Sequence, residues 1–278
     1  MYRIFILLLF FFSCSHVFGD SKSEEKHILV SIAPYKFLVE QIAGNTCKVC
    51  SIVTNNYDPH TYELSPRHMG KIVRAQLWFR MGENFEKSCE KNISCPQVDL
   101  TKNIEIISEH TGCTHQFHSF DTHTWLSPKN LKIQVMAITE ALCLHFPEHT
   151  ALYRSNGTKL LETLENLDVE IQEITAAAKQ RHILVAHGAF AYFCRDYNFF
   201  QHVVEKSNHM EPSPKDVVRA AQSIRKHGIS SMILLRHAGK RSSAMLAERF
   251  HMATVSLDPY EENVINNLKT IATTFANL

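Results

Sequence analysis

Two rhythms of apolar residues alternate along this chain. Short apolar-rich runs, Ile28 to Ile32, Val49 to Val53 and Leu77 to Met81, are separated by segments of helical spacing: Pro34 to Ile42, stopped by Gly44, and Pro66 to Arg74. Runs this short, bounded by turn residues, read as buried strands, and their alternation with helices predicts a parallel sheet in an α/β lobe. A polar stretch follows. Helical spacing resumes from Pro128 to His145, with Leu131, Val135, Ile138 and Leu142 on one face and Pro147 at its end.

The longest periodic stretch runs from about Thr150 to Lys179. Leu160, Leu164, Leu167, Ile171, Ile174 and Ala178 recur at alternating steps of four and three, one continuous stripe on one long helix. A coiled-coil segment or a core helix would carry the same stripe. Beyond it the first rhythm returns. Strands are predicted at Ile183 to Ala186, Phe200 to Val204, Ser231 to Leu235 and Thr254 to Leu257. Helices are predicted at Phe190 to Tyr197, at Pro214 to Lys226 before Gly228, near Ala244 to Phe250 and from about Glu261. The expected architecture is therefore α/β, with two lobes of mainly parallel sheet flanked by helices.

The polar punctuation between these elements is not random. Asp58-Pro59-His60-Thr61-Tyr62-Glu63-Leu64-Ser65-Pro66 is nearly repeated as Asp121-Thr122-His123-Thr124-Trp125-Leu126-Ser127-Pro128. In both, a histidine precedes Ser-Pro, which reads as a helix N-cap with proline at the first helical position. His187-Gly188-Ala189-Phe190 and Leu257-Asp258-Pro259 follow two later strands in the same manner. A structural zinc site draws its ligands from close pairs on one loop, whereas His60, His123, His187 and Asp258 stand 63, 64 and 71 residues apart. Such a set forms only after the whole chain has folded, which suits a cleft between lobes. Three imidazoles and one carboxylate fill a tetrahedron, and catalytic zinc usually keeps one position open. Asp58 and Asp121, each two residues before a histidine, suit a turn-shaping role, and Glu63 is a candidate to orient a ligand imidazole or a solvated charge.

These segments, in this order, resemble the metal-specific solute-binding proteins of bacterial ABC transporters. The family's D-P-H-x-Y-E phrase stands at Asp58 to Glu63 and its D-x-H-x-W phrase at Asp121 to Trp125. Its H-x-A-F-x-Y-F phrase runs from His187 to Phe193, its E-P-S-P turn from Glu211 to Pro214, and its late carboxylate corresponds to Asp258. The resemblance implies two lobes joined by a rigid backbone helix, with a metal site in the interlobe cleft held by His60, His123, His187 and Asp258. It implies no catalytic activity, and a divalent cargo handed to an inner-membrane permease. Histidine at the third position favours zinc over manganese, and iron is the other alternative. Relatives that handle zinc often carry a histidine-rich loop where His110, His115 and His118 stand here. At Leu235-Arg236-His237 the chain departs from the family, which commonly places an acidic residue after that strand.

Composition narrows the remaining choices. A net charge of +1, without a basic stripe, gives no reason to expect a nucleic-acid partner, and a monomer is expected. Arg3, the apolar stretch Ile4 to Phe12 and Gly19 before Asp20 make residues 1–19 an export signal, too short to span a bilayer, which takes about 20 apolar residues. The mature chain then divides into an N-terminal lobe (20–149), a linking helix (150–179) and a C-terminal lobe (180–278). Its expected place is the periplasm, soluble after cleavage, with Cys14 as the residue for a lipid anchor. Seven cysteines follow Asp20. Cys47 and Cys50 lead into a strand rather than opening a helix, against a redox pair, and Cys89 with Cys95 is the better candidate for a bridge. A zinc hydrolase is the enzymatic rival, but H-E-x-x-H is absent and Leu64 stands where H-x-x-E-H needs histidine. A surface adhesin on the same fold is the non-transport rival.

Overall fold

The computed structural model describes residues 25–54, 57–63, 70, 72–108, 120–204, 212–236 and 240–278. In the N-terminal half, strands β1 (His27–Val30), β2 (Lys48–Ser51), β3 (Leu77–Arg80) and β4 (Gln97–Asp99) form a parallel sheet in the order β2-β1-β3-β4. In the C-terminal half, β5 (His182–Val185), β6 (Phe200–Val203), β7 (Ser231–Leu235) and β8 (Ala253–Leu257) repeat that order as β6-β5-β7-β8, again all parallel. Each lobe thus has the same strand order with parallel crossovers, and helices cover sheet faces that cannot be left to water.

The helices are α1 (Ala33–Ala43), α2 (Asn84–Glu90), α3 (Pro128–His145), α4 (Thr150–Ala176), α5 (Ala191–Tyr197), α6 (Pro214–His227), α7 (Lys240–Arg249) and α8 (Val264–Ala276). The punctuation does what its chemistry predicts. Ser127 caps α3, its side chain accepting from the Asn130 amide, and Ser213 with Asp216 forms a reciprocal capping box on α6. Gly228 ends α6 with φ +62°, a conformation that favours glycine. Ser65 and Pro66 lie outside the described residues.

The 27 residues of α4 reach about 40 Å, and its predicted stripe is where both lobes bury themselves. Leu160, Leu164, Leu167 and Ile171 lie buried in one apolar core. That core runs from Ile28, Leu77 and Phe79 through Leu131 and Val135 to Ile183, Phe190 and Phe275. Helices α1, α3 and α8 pack on α4. Against α3, a Cβ added to Gly157 would meet the Thr139 hydroxyl at 2.5 Å, so a larger residue there would force the Thr139 side chain to shift.

Two elements escape the periodicity. Helix α2 carries only Phe85 and Cys89 as core residues in a polar heptamer, and β4 is a three-residue edge strand written Gln-Val-Asp. The expected Cys89 to Cys95 bridge is overturned. Both are free thiols, as are Cys47, Cys50, Cys143 and Cys194. Cys89 sits in the apolar layer with Leu29, Trp78 and Phe85, and burial pushes its thiol up to about 11. Cys50 lies within β2, so the Cys47-Cys50 pair opens no helix. Among the described residues, no helix is long and apolar enough to cross a membrane.

Candidate metal centre

In a parallel sheet with crossover helices, ligands bind beyond the carboxyl ends of the strands. That is where the candidate residues meet. His187 lies two residues past β5, Asp258 directly follows β8, and Glu83 lies three past β3. His60 sits in a short turn, Pro59–Thr61, and His123 four residues before the Ser127 cap.

The duplicated phrase has one physical meaning in both copies. Asp58 Oδ1 accepts the His60 amide at 3.0 Å, and Asp121 Oδ1 accepts the His123 amide at 2.8 Å. Each aspartate closes a turn that presents the histidine two residues on. Asp121 does more, because the same oxygen lies 2.8 Å from His123 Nδ1.

His60, His123 and His187 come together, with one ligand atom from each lying within 4.8 Å of the others. The His187 ring centroid is 5.2 Å from His60 and 5.5 Å from His123, and His123 and His187 are almost wholly buried. His60 Nδ1 is held 3.1 Å from Glu83 and His123 Nδ1 by Asp121, which leaves the two Nε2 atoms facing each other at 3.3 Å. Metal–imidazole bonds of about 2.0–2.1 Å set a tetrahedral edge of about 3.3–3.4 Å between two nitrogens. The 3.3 Å between the His60 and His123 nitrogens therefore matches one edge of a tetrahedral shell.

Proton bookkeeping gives the same answer. With both Nδ1 atoms donating to carboxylates, both Nε2 atoms present lone pairs. The Tyr260 hydroxyl lies 3.0 Å from one and 3.2 Å from the other, but its single proton serves only one. Burial, reinforced by the charges of Glu83 and Asp58, raises Tyr260 well above the ordinary phenol range, so it keeps that proton. Burial by itself would lower His60, but the hydrogen bond and charge of Glu83 outweigh it and raise His60 above its ordinary value. Burial likewise opposes ionisation of Glu83, yet His60 and the Thr122 hydroxyl hold it down at about 2. The centre thus has fixed anions behind its rings and lone pairs in front, the arrangement that orients imidazoles toward a cation.

Asp258, the fourth predicted residue, directly follows β8. Asp258 lies outside the group formed by the three histidines. One of its oxygens accepts the Tyr260 amide at 2.9 Å and the other lies 3.4 Å from Arg236 Nη1. Arg236 lies in the Leu235-Arg236-His237 segment, where the sequence is expected to depart from the family pattern. Glu63 is exposed, and the orienting carboxylate is Glu83 instead. Its position just past a strand end was the available signal. Tyr260 carried only its closeness to Asp258. His110, His115 and His118 lie outside the described residues, although Ser108 and Phe120 pair in an antiparallel bridge at the loop's base.

The centre sits between lobes that are tied together around it. Trp125 Nε1 donates to the Pro259 carbonyl at 2.8 Å, and the Tyr192 hydroxyl donates to the Asp121 carbonyl at 2.8 Å. Two of the three histidines come from the N-terminal half and one from the C-terminal half.

Comparison with known proteins agrees with this geometry. The chain is 59% identical over 276 residues to a protein of Chlamydia trachomatis serovar D described as metal-binding, covering 99% of this chain and all of the relative. A crystal structure of ZnuA superposes with a TM-score of 0.84 at 27% identity, covering 91% of this chain and 99% of that one. A ZnuA deletion mutant solved with zinc bound gives a TM-score of 0.83, also at 27% identity, with 91% and 98% covered. The family model described as zinc-uptake complex component A, periplasmic, matches residues 28–277. The chain belongs to that family, the metal-specific solute-binding proteins of bacterial ABC transporters.

Proposed function

We propose that this chain captures zinc between its lobes through His60, His123 and His187 and hands it to an inner-membrane permease. The observation that carries the reading is the pair of Nε2 atoms 3.3 Å apart, each on a ring whose other nitrogen is held by a carboxylate. The zinc-bound state of the similar ZnuA mutant supports zinc as cargo. Imidazole-rich shells suit zinc better than manganese, which prefers oxygen, and iron remains the competitor that elemental analysis must separate.

On this reading Asp258 in its present conformation anchors the Tyr260 turn, and the Tyr260 hydroxyl faces the fourth position. A hydrolase would need a general base free to activate water, whereas Glu83 and Asp121 are both engaged by ligand rings, which favours binding over catalysis. The mature chain begins at Asp20 and acts outside the cytoplasm, with lobes 20–149 and 180–278 about the 150–179 helix.

Thermal unfolding of the purified protein with zinc and with a strong chelator tests the proposal, together with its metal content by elemental analysis. Zinc at a thousandfold excess over its dissociation constant should stabilise the fold by about 4 kcal/mol. An unchanged midpoint with no metal in the protein would sink the reading, and a full complement of manganese or iron would replace zinc as cargo.

A further inference from the structure

A second group of three histidines lies at the other end of the C-terminal sheet. His182 opens β5, His202 lies in β6, and His227 is the last residue of α6. One ligand atom from each falls within 4.8 Å of the other two, and all three side chains are half-buried. His182 Nδ1 lies 3.0 Å from His202 Nε2, and the His182 and His227 rings stack at 3.7 Å between centroids.

Strand register explains the meeting. His202 is paired with Leu184, two residues along β5 from His182, so all three side chains share one sheet face. Leu184 packs there against Ala220 and Ile224 of α6, and where α6 ends, His227 completes the group. Gln180 fixes the arrangement, accepting the His182 amide at 2.9 Å and donating to the His227 carbonyl at 3.0 Å. The group is distinct from the cleft. His182 and His187 lie at opposite ends of β5, on the order of 15 Å apart along the strand.

We propose that His182, His202 and His227 form a second, solvent-facing site for a late first-row divalent metal ion. Three imidazoles with one face open to water suit such an ion, with solvent completing the shell. The ion takes the place of the proton between His182 and His202, and the donor ring moves its proton to its other nitrogen. The carbonyl end of α6 adds a favourable negative potential. Unlike the cleft rings, these are oriented by stacking on one another and on Phe200, at 4.8 Å from His182, so the ion is held more weakly than in the cleft.

Calorimetric titration of metal-free protein with zinc, repeated with cobalt and read by its visible absorption, tests the site. The wild type should take two ions, the second at least tenfold weaker. His202→Gln and His227→Gln should each remove the weaker event and leave the tighter one unchanged, and His60→Ala/His123→Ala should do the reverse. His227→Gln, at a helix end, keeps the test decisive if His202→Gln fails to fold as judged by circular dichroism. A wild type that takes one ion overturns the proposal. So does a weaker event that persists in His202→Gln/His227→Gln, which would place the second ion elsewhere, with His110, His115 and His118 the next candidates.

Discussion

The two histidine trios of this molecule differ in what stands behind the rings. In the cleft, Glu83 and Asp121 hold the Nδ1 atoms of His60 and His123, and Trp125 and Tyr260 pack around them. At the far end of the sheet the neighbours are other imidazoles, Phe200 and the charge of Lys226. The consequence is opposite proton affinity. His60 is raised by its carboxylate, whereas burial, then the charges of His227, His182 and Lys226, push His202 down to about 4. Three histidines within reach of one point are therefore not one kind of site. An orienting carboxylate fixes the tautomer and makes the ring a stronger ligand, and stacking does neither.

The largest expected contrast comes from removing one ring of the cleft. His123→Ala should abolish tight zinc binding and with it the roughly 4 kcal/mol of zinc-dependent stabilisation, while His227→Gln leaves that stabilisation intact. Calorimetry and thermal unfolding with and without chelator read both. Equal losses from the two variants would erase the distinction between the sites.

Next is the carboxylate. Glu83→Gln keeps the shape of the side chain but removes the charge behind His60, and loss of such a partner typically costs about 10–100-fold in metal affinity. Affinity within twofold of wild type, measured by competition with a chelator of known strength, would show that Glu83 does not orient the ligand.

The proton affinities sharpen the comparison without metal. In chelated protein, nuclear magnetic resonance titration should find His60 protonating above the ordinary histidine value of 6.5 and His202 protonating well below it. The signs for stability follow. The folded chain refuses the His202 proton that the unfolded chain accepts, so this contribution, present above pH 6.5, is lost as pH falls toward 4. His60 acts the other way, stabilising below its unfolded value and losing that contribution as pH rises through its raised folded value. His202→Gln should therefore narrow the loss of stability between pH 6.5 and 4, by no more than about 1 kcal/mol given solvent screening.

The smallest effect is expected at Asp258. Since its carboxylate is bonded to the Tyr260 amide and Arg236, Asp258→Ala should loosen the Tyr260 turn and weaken zinc less than tenfold, leaving the imidazole shell intact. X-ray absorption on the zinc-loaded wild type and variant decides. A carboxylate oxygen in the wild-type shell that disappears in Asp258→Ala would make Asp258 the fourth ligand, as the sequence pattern implies.

Much of this was written locally. The strands at Ile28, Leu77, Ile183 and Ser231 and the stripe from Leu160 to Ile171 are set by spacing along the chain, because a residue's burial in these elements follows the period of its own helix or strand. Helix α2 and strand β4 were illegible because their sequences are polar and their few apolar residues, Phe85, Cys89 and Val98, find neighbours only in the folded sheet. Cys89 shows the same limit, since its thiol turns into an apolar layer rather than toward Cys95.

What the sequence determined by itself was the architecture and the three imidazoles of the cleft. Each histidine sits in its own turn, closed by a neighbouring aspartate or strand end, so its presentation is a local property. What only the tertiary structure decided was which groups surround them. Glu83 reaches His60 from another strand end, Tyr260 reaches two rings from the far lobe, and Arg236 engages Asp258 across the β7-β8 edge. The outer trio depended on it entirely, because His182, His202 and His227 share no phrase in the sequence. The register of β5 with β6 and the length of α6 bring them together, and register is fixed by which face of the sheet is buried rather than by any one of these residues.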